Sequence, residues 1–353
     1  MAAVNLTLTT RGDRAGIAPS EAALVDRFGR AHRDLRVSLT DRCSLRCTYC
    51  MPEQGNEWLA KSSVLTVDEI IQVASVAAAA GITTFRLTGG EPLLRPDVVD
   101  IVRRLARISG TSGAVEVAMT TNGIRLAHLL PDLIAAGLGR LNISIDTLDS
   151  ERFRALTRRD RLDEVLTGIA AAAASDLRPL KLNAVAMRGV NDDEMTDLVD
   201  FALAHDAEMR FIEQMPLDSE HTWNRQTMVT RDEILSALST KWRLEPVPAR
   251  GGAPSELFLI DGGPARVGVI ASVTAPFCGD CDRLRLTADG QLRNCLFSNS
   301  EFDLMPALRG DDDDADVAID RILRACVWSK LPGHAIDDPG FLQPTRGMNA
   351  IGG

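Results

Sequence analysis

Two groups of cysteines have the clearest potential for chemistry in this sequence. Cys43, Cys47 and Cys50 form a C-x3-C-x2-C pattern (the first triplet) directly after an apolar run. Three thiolates on one short loop can ligate three irons of a cubane iron–sulfur cluster and leave the fourth iron open to a small molecule. The pattern therefore predicts a catalytic cluster. A structural zinc site is the alternative, but zinc usually takes four Cys or His ligands in paired spacing.

Cys278, Cys281 and Cys295 form a C-x2-C-x13-C pattern (the second triplet). Spacing alone fits a three-thiolate zinc site and a second cluster about equally well. Arg283 and Arg285 lie just past Cys281, and arginine matches phosphate geometry with paired N–H donors. We therefore favour a second cluster with an anionic ligand beside it. The two arginines also fit an exposed pair on a strand, because they share one face.

The remaining cysteine and the N-terminus bear on the cellular compartment. Residues 1–18 lack the apolar core of a targeting signal, and we expect them to form a disordered tail. We predict a cytoplasmic protein with free thiols, because disulfides are rare in the cytosol. Cys326 lies in an apolar stretch and is predicted to be a buried core thiol.

Composition argues against several classes of protein. Of the 353 residues, 45% are hydrophobic and 25% are charged, as in an ordinary globular protein. We find no apolar run long enough to cross a bilayer and expect no membrane association. The formal net charge of −10 argues against a general nucleic-acid binder, which would present a basic face. An anionic ligand bound by a local cluster of arginines stays compatible with this charge.

Strand-like and helical segments alternate from residue 19 to residue 216. The strand-like runs, rich in Val, Ile, Leu and Thr, are 35–39, 83–88, 115–120, 141–145, 180–186 and 209–214. The helical segments are 20–30, a helix that the capping box Thr66-x-x-Glu69 opens and Gly81 ends, a helix that Asn191-x-x-Glu194 opens, and segments near 96–108, 126–137, 149–157 and 163–175. Six such units imply parallel strands joined by right-handed crossovers.

The residues that follow these strands distinguish between two parallel folds. Each strand is followed at once by distinctive residues, among them the first triplet, the Gly89-Gly90-Glu91-Pro92 loop and Thr120-Thr121-Asn122-Gly123. An open sheet concentrates its site at one switch point, whereas a barrel gathers residues from many strand ends around one mouth. We therefore predict an incomplete (βα)6 TIM-type barrel over residues 19–216, open on one side because it has six units rather than eight.

After Pro216 the alternation ends, and residues 217–353 are predicted to form a C-terminal α+β extension that carries the second triplet. Helices are predicted at 230–240, capped by Thr230 and Glu233, and near 316–330. Short strands are predicted around 256–260, 265–270, 283–287 and 291–293. The acidic run 311–314 is predicted to be a solvated loop, and residues 331–353 an irregular tail.

The motifs together resemble a known enzyme family. A C-x3-C-x2-C loop followed by Gly-Gly-Glu-Pro resembles the radical S-adenosylmethionine (SAM) enzymes, and the chain from Leu24 to Gly353 more closely resembles the GTP 3′,8-cyclases of molybdenum cofactor biosynthesis. The matching segments are 35–52, 86–93, 120–123, 142–149, 181–191, 210–215, 277–296 and 352–353. The departures include Ser44, where the family often has Asn, and Asn349, where the tail often has Ser. Neither is an expected ligand.

The resemblance implies two [4Fe-4S] clusters and SAM as cofactors. The first triplet would hold the cluster that binds SAM, and SAM contacts are implied for Tyr49 (through its backbone), Gly90, Ser144 and Met215. A glycine at position 90 would let the backbone approach the methionyl group without a Cβ in the way. Ser144 lies at the end of the fourth strand, where barrel sites form. Taken alone, Met215 fits core packing better, and Tyr49 a surface aromatic.

The second triplet, by resemblance, would hold a cluster that binds the guanine edge of GTP, the implied substrate. GTP contacts are implied for Arg36, Arg86, Thr120, Lys181, Arg283, Leu284 and Arg285. Four arginines and one lysine would offset a triphosphate of about four negative charges. Arg285 and the terminal Gly352 and Gly353 are also implied to take part in catalysis, the glycines as the end of a mobile tail. The sequence alone would make that tail a frayed end.

The resemblance also implies a reaction and its partners. One electron from the first cluster cleaves SAM to a 5′-deoxyadenosyl radical, which removes a hydrogen from C3′ of GTP. The C3′ radical attacks C8, and a reduction completes 3′,8-cyclo-7,8-dihydro-GTP. Implied partners are a flavodoxin- or ferredoxin-type reductant, cyclic pyranopterin monophosphate synthase as the acceptor of the product, and a second copy of the chain in a homodimer.

Two other functions remain open at this stage. A different radical SAM enzyme could modify a peptide and use its C-terminal cluster only to relay electrons. Such enzymes usually carry more C-terminal cysteines and lack the Arg283-Leu284-Arg285 element. A non-catalytic zinc-binding interaction module would contain zinc without iron or sulfide.

Overall fold

The computed structural model describes residues 23–218, 221–248, 250–310 and 314–352. The predicted tail 1–18 lies outside the described residues, as do Gly353 and most of the acidic run.

The strands are β1 (Asp34–Ser38), β2 (Thr84–Thr88), β3 (Ser109–Gly110), β4 (Gly113–Ala114), β5 (Glu116–Thr121), β6 (Arg140–Ser144), β7 (Leu180–Ala186), β8 (Ala207–Glu213), β9 (Leu244–Pro246), β10 (Glu256–Ile260), β11 (Arg266–Ile270), β12 (Arg283–Leu286), β13 (Gln291–Arg293) and β14 (Phe302–Asp303). The helices are α1 (Val67–Ala79), α2 (Val98–Leu105), α3 (Leu126–Ala136), α4 (Ser150–Thr157), α5 (Leu162–Ala173), α6 (Met195–Ala204), α7 (Arg231–Ser239), α8 (Met305–Arg309), α9 (Ala315–Trp328) and α10 (Met348–Ile351).

One sheet organises the molecule, and six of its strands are the predicted βα strands. β1, β2, β5, β6, β7 and β8 pair in that order, all parallel. The prediction of a partial barrel with a C-terminal extension is confirmed. The extension also adds a parallel strand at each edge, since β12 pairs with β1 and β11 with β8. Among the described strands no ladder joins β11 to β12, and the barrel is open there.

Alternation along the strands separates the apolar core from the barrel interior. On β1, Leu35 and Val37 are fully buried beneath the helices, while Arg36 between them lines the interior cavity. On β2, Phe85 and Leu87 flank Arg86 in the same way. Successive side chains of a strand point to opposite faces, and each buried apolar side chain contributes about 1.5–3 kcal/mol by leaving water. The core therefore fixes the direction in which the interior arginines point.

The predicted helix at 20–30 is wrong for the residues that the structure describes. An isolated bridge joins Val25 to Ala31, with Gly29 at φ +80° in the turn between them. Asp26 Oδ1 accepts hydrogen bonds from the backbone N–H of Phe28 (2.8 Å) and of Arg30 (3.0 Å). A carboxylate that captures nearby backbone donors competes with helix hydrogen bonds, and here the turn forms instead.

The capping box predicted at Asn191-x-x-Glu194 is also wrong. α6 begins at Met195, and its first turn has no side-chain cap. Asn191 instead accepts from the Met187 N–H (2.8 Å) and donates to the carbonyl of Asp146 (2.8 Å), which fixes the loop after β7. The capping boxes at Thr66 and Thr230 are confirmed.

One apolar stretch, 61–79, meets the length and composition of a membrane span, contrary to the expectation from sequence. The structure divides it into a short 3-10 turn, Lys61–Ser63, and α1. Ile70, Val73 and Ala77 on one face of α1 are fully buried in the barrel core. The apolar character of this stretch therefore reflects packing inside the protein.

Candidate active site

Both cysteine triplets line one cavity of about 580 Å³ inside the barrel. The first triplet follows the C-terminal end of β1, whereas Cys281 precedes the N-terminal end of β12, which runs parallel to β1. A strand of this length spans about 15 Å. The two triplets therefore lie at opposite ends of the parallel strands, with the barrel interior between them. All six thiols are free.

The loop that carries the first triplet is fixed on one side by the Gly-Gly-Glu turn after β2. Gly90 N–H donates to the Thr40 carbonyl (2.7 Å), and Glu91 N–H to the Arg42 carbonyl (2.8 Å). A Cβ at position 90 would lie 2.3 Å from the Arg42 carbonyl oxygen. Gly90 lines the cavity, but the close approach that requires glycine is to the cysteine loop itself.

Glu91 connects this turn to the end of β5. It is 1% exposed and accepts hydrogen bonds from Leu93 N–H (2.9 Å), the Thr121 hydroxyl (2.7 Å) and Asn122 N–H (2.7 Å). Burial raises the pKa of Glu91, although these donors oppose the change. Asn122 Nδ2 in turn reaches Ser44 Oγ at 3.0 Å, so the departure at position 44 keeps a polar contact.

On its other side the loop is fixed by α4. Arg46 N–H donates to the Thr157 carbonyl (2.9 Å), and the Arg158 guanidinium donates to the Met51 carbonyl (3.0 Å). Arg158 ends α4 in the left-handed conformation, with φ at 56°. The first triplet is therefore positioned by backbone contacts at both ends of its loop.

In the protein without metal, burial raises the pKa of all three thiols of the first triplet. Burial and Glu91 raise the pKa of Cys43 to about 11, and burial together with Cys43 raises that of Cys50 to about 12. Burial also raises the pKa of Cys47. These thiols are therefore protonated at neutral pH, and a metal centre would displace their protons.

Tyr49 is part of the cavity and not a surface aromatic. Its hydroxyl donates to Asp146 Oδ2 at 2.8 Å, and Asp146 Oδ1 accepts from Val185 N–H at 2.8 Å. Burial raises the pKa of Asp146 to about 6. Ser144 and Met215 line the same cavity, and Met215 also packs against a small apolar cluster, so the core-packing interpretation was partly right.

Five cations of the barrel interior form what we term the cationic wall: Arg36, Arg86, Lys181, Arg283 and Arg285. Arg36 lies opposite Arg86 on one neighbouring strand and opposite Arg285 on the other. Within the described ranges none of the five forms a salt bridge, although the surface of the protein carries many. Thr120, also predicted from sequence, lines the cavity beside them.

The cationic wall contains buried donors without acceptors. Arg36 Nε, Arg86 Nη1 and Arg283 Nε are buried and have no hydrogen-bond partner among the described residues. Such donors cost free energy until an acceptor binds. Burial and Arg285 lower the pKa of Arg36, and burial with Arg210 lowers that of Lys181 to about 8. This wall is suited to an anion with several oxygen acceptors, such as a polyphosphate.

The second triplet has a more polar setting than the first. Arg283 Nη2 lies 3.7 Å from Cys281 Sγ and stacks over the Phe277 ring at 4.5 Å. Burial opposes ionisation of Cys281, but Arg283 and Lys330 outweigh it and lower its pKa to about 7. In the part of the chain that the structure describes, no three His, Cys, Asp or Glu side chains are gathered closely enough to hold a single metal ion.

The C-terminal tail reaches into the barrel mouth. Asn349 Nδ2 donates to the Asp41 carbonyl (3.1 Å), and Asn349 Oδ1 accepts from Asn56 (3.0 Å). Arg285 Nη1 donates to the carbonyl of Gly352, whose φ is +84°. A Cβ there would lie 2.8 Å from Thr88 Oγ1. A frayed end, the interpretation from sequence alone, is therefore wrong for Gly352.

Leu284 is the one predicted contact among the described residues whose side chain points away from the cavity. It is 0% exposed and packs in the core behind β12, because it alternates with Arg283 and Arg285. Sequence reasoning missed further cavity residues, among them Asn142, Asn183, Arg140, Arg210, Asn294 and His334. Several could have been found by alternation, since Asn142 precedes Ser144, and Asn183 follows Lys181, by two positions on one strand.

Fold and site together define a class of protein. A cysteine triplet after the first strand of a partial parallel barrel, fixed by a Gly-Gly-Glu loop after the second, is the arrangement of a radical SAM enzyme. A sequence profile described as Radical SAM superfamily matches residues 37–202. A second profile, described as Molybdenum Cofactor Synthesis C, matches residues 207–336.

Relatives of nearly full length identify the family. A GTP 3′,8-cyclase of Streptomyces coelicolor is 55% identical over 333 residues, covering 94% of this chain and 96% of that protein. A GTP 3′,8-cyclase of Corynebacterium glutamicum strain R is 50% identical over 347 residues, covering 95% and 91%. The chain belongs to the GTP 3′,8-cyclase family.

Solved structures with little sequence identity share the fold. Streptococcus suis SuiB bound to precursor peptide SuiA superposes with a TM-score of 0.60 at 13% identity, covering 86% of this chain and 68% of that chain. Native anSMEcpe with bound AdoMet gives a TM-score of 0.53 at 13% identity, covering 76% and 77%. At this identity the likeness extends to the fold alone.

Proposed function

We propose that this chain converts GTP to 3′,8-cyclo-7,8-dihydro-GTP, the first step of molybdenum cofactor biosynthesis, in the cavity between the two triplets. The observation that carries the proposal is the cationic wall, whose unpartnered donors lie between two separate sets of three thiols. A radical SAM site alone requires only the first set. A nucleotide triphosphate of about four negative charges would satisfy the wall.

The first triplet would hold a [4Fe-4S] cluster, with Tyr49, Gly90, Ser144 and Met215 around SAM. When bound, these two groups supply one-electron cleavage of a sulfonium and hence a hydrogen-abstracting radical. The protein itself contributes position. Glu91 and the backbone contacts on either side hold the cysteine loop in place, and the barrel strands present the other side chains that line the cavity.

Arg36, Arg86 and Lys181 would bind the triphosphate, and the Thr120 hydroxyl lies within the same cavity. Cys278, Cys281 and Cys295 would hold a second cluster whose open iron binds the guanine edge, beside Arg283 and Arg285. Leu284 could contribute only its backbone. We assign Arg285, Gly352 and Gly353 to catalysis, because Arg285 already joins the tail to the barrel interior.

The decisive experiment is an anaerobic assay of the full chain with GTP, SAM and dithionite. We expect 5′-deoxyadenosine and the cyclised nucleotide to form in step. Parallel incubations with candidate peptides test the peptide-modifying alternative, for which 5′-deoxyadenosine would form with peptide and not with GTP. A lack of cyclised nucleotide from protein that holds both clusters would contradict the proposal.

Metal analysis tests the cluster assignment separately. Anaerobically purified and reconstituted protein should hold about eight irons per chain and equal sulfide, if each triplet holds one four-iron cluster. About four irons would leave the second triplet without a cluster. Zinc without iron or sulfide would support the interaction-module alternative.

The wider context follows from the same proposal. The product would pass to cyclic pyranopterin monophosphate synthase, and a flavodoxin- or ferredoxin-type protein would supply electrons. We further propose a cytoplasmic location and a homodimer. The domain boundary at residue 216 also stays a prediction.

A further inference from the structure

A lysine without a carboxylate partner is buried behind the second triplet. Lys330, just after α9, is 3% exposed, and its Nζ donates to the carbonyls of Arg283 (2.8 Å) and Asn294 (2.7 Å). Across the described residues it forms no salt bridge. A buried positive charge is costly unless an anion compensates it.

The two acceptors of Lys330 belong to the cysteine segments. Arg283 lies two residues after Cys281, and Asn294 directly precedes Cys295. A single side chain therefore joins the start of β12 to the end of β13, beside two of the three cysteines. Asn294 is itself 5% exposed, and its Nδ2 donates to the Ser329 hydroxyl at 2.7 Å, which ties the segment to the end of α9.

The third cysteine segment is held by another buried cation. Arg30 Nη1 donates to the Cys278 carbonyl at 2.6 Å, and Arg30 Nε pairs with Asp26 Oδ2 at 2.6 Å. Asp26 therefore compensates the charge of Arg30, whereas no carboxylate of the described residues lies within salt-bridge distance of Lys330. His32 is buried nearby, and burial and Lys330 lower its pKa to about 4, so it is neutral at physiological pH.

We propose that Lys330 is a positioning residue for a cluster on the second triplet: it fixes the spacing of Cys281 and Cys295 and supplies the positive charge that an iron–sulfur centre with three thiolates requires. The inference rests on the proposed function, which places a cluster there. A reduced cluster carries one more negative charge than an oxidised one. Lys330 therefore stabilises the reduced state, and its loss lowers the reduction potential.

The test uses the full chain with Cys43→Ala, Cys47→Ala and Cys50→Ala, so that only the second cluster is present. In this background Lys330→Met, Lys330→Gln and Lys330→Arg are compared with Lys241→Met, a surface lysine that pairs with Asp200. Iron and sulfide are measured after reconstitution, and the reduction potential by electron paramagnetic resonance during redox titration.

Lys330→Met should lower iron by at least twofold from about four per chain. The cluster that remains should have a more negative potential. Lys330→Gln, which keeps a donor without the charge, should shift the potential in the same direction. Lys330→Arg should keep a potential close to that of the background protein, and Lys241→Met should change neither quantity.

A potential unchanged in both Lys330→Met and Lys330→Gln would overturn the proposal. If Lys330→Met fails to fold by circular dichroism, Lys330→Gln decides. If the cluster stays fully occupied and Lys330→Arg shifts its reduction potential as much as Lys330→Met does, the positive charge of Lys330 has no role in setting that potential. Background protein without iron would overturn the second cluster itself and, with it, this role for Lys330.

Discussion

The two cysteine triplets offer the same ligands in different surroundings. The first is held mainly by backbone contacts from the Gly-Gly-Glu turn and α4, and burial raises the pKa of each of its thiols. The second lies among Arg30, Arg283 and Lys330, and the last two of these cations lower the pKa of Cys281 to about 7, although burial still raises that of Cys278. This difference indicates that charge compensation is concentrated at one end of the cavity, where a polyanionic ligand would bind.

The largest expected effect comes from removing each triplet in turn. Replacing Cys43, Cys47 and Cys50 by Ala should abolish both 5′-deoxyadenosine and cyclised nucleotide, because SAM cleavage depends on that end. Replacing Cys278, Cys281 and Cys295 by Ala should abolish the cyclised nucleotide and leave slow 5′-deoxyadenosine formation. Analysis of both products in the anaerobic assay distinguishes the two triple variants. Full turnover without the second triplet would end the proposed division of roles.

Arg285→Ala sharpens the comparison within the cationic wall. Loss of a charge-assisted hydrogen bond of about 1.5–3 kcal/mol should weaken GTP binding by roughly tenfold to a hundredfold. SAM cleavage uncoupled from GTP should be spared. Equilibrium binding of GTP and 5′-deoxyadenosine formation are the measurements, with the exposed Arg266→Ala on β11 as control. An equal loss of GTP binding and of 5′-deoxyadenosine formation would count against a role in nucleotide binding.

Thiol reactivity tests the electrostatic contrast without any metal. In the apo-protein at pH 8, Cys281 is mostly thiolate and Cys43, with a pKa of about 11, is almost entirely thiol. Because the thiolate is the nucleophile, iodoacetamide should modify Cys281 at least tenfold faster. The Cys281 rate should fall as the pH drops from 8 to 6, as the thiolate is protonated. Mass spectrometry of the labelled peptides gives both rates, and equal rates would refute the contrast.

The smallest expected effect concerns the tail that touches both regions. Asn349→Ser removes contacts to Asp41 and Asn56, at about 0.5–1.5 kcal/mol for each net hydrogen bond. Only part of this free energy should appear in the rate, because the contacts lie outside the reacting groups, so cyclised nucleotide should form roughly threefold to tenfold more slowly while SAM binding stays unchanged. Asn56→Ala removes only one of these bonds and should have a smaller effect. If Asn56→Ala slowed formation of the cyclised nucleotide more than Asn349→Ser does, the effect would come from the loop that carries Asn56 and not from the C-terminal tail.

Much of this architecture could be predicted from the sequence, because local signals and tertiary packing agree. β7, β10 and β13 begin and end where periodicity placed them, and the paired capping residues mark the starts of α1 and α7. The parallel pairing of β11 and β12 with the barrel was not predictable, since it joins segments far apart in the chain. The direction of the Leu284 side chain, by contrast, was predictable. Strand alternation places it on the face opposite to that of its two neighbours, Arg283 and Arg285.

The candidate site likewise combines features that local sequence patterns predict with contacts that they do not. Cysteine spacing identified all six thiols, but the reason for Gly90 lies in its contact with the Arg42 carbonyl, which no local pattern encodes. The bond between Arg285 and Gly352 also joins residues 67 positions apart. Such contacts depend on the finished fold, whereas ligand spacing on one loop does not.

Because β11 and β12 complete the flanks of the barrel, the N-terminal part is not a free-standing unit. A chain truncated after Pro216 would lack both strands and leave β1 and β8 as bare edges. Exposed edges of this kind pair with other molecules, so such a fragment should aggregate. Dissection of this protein therefore calls for point substitutions in the intact chain.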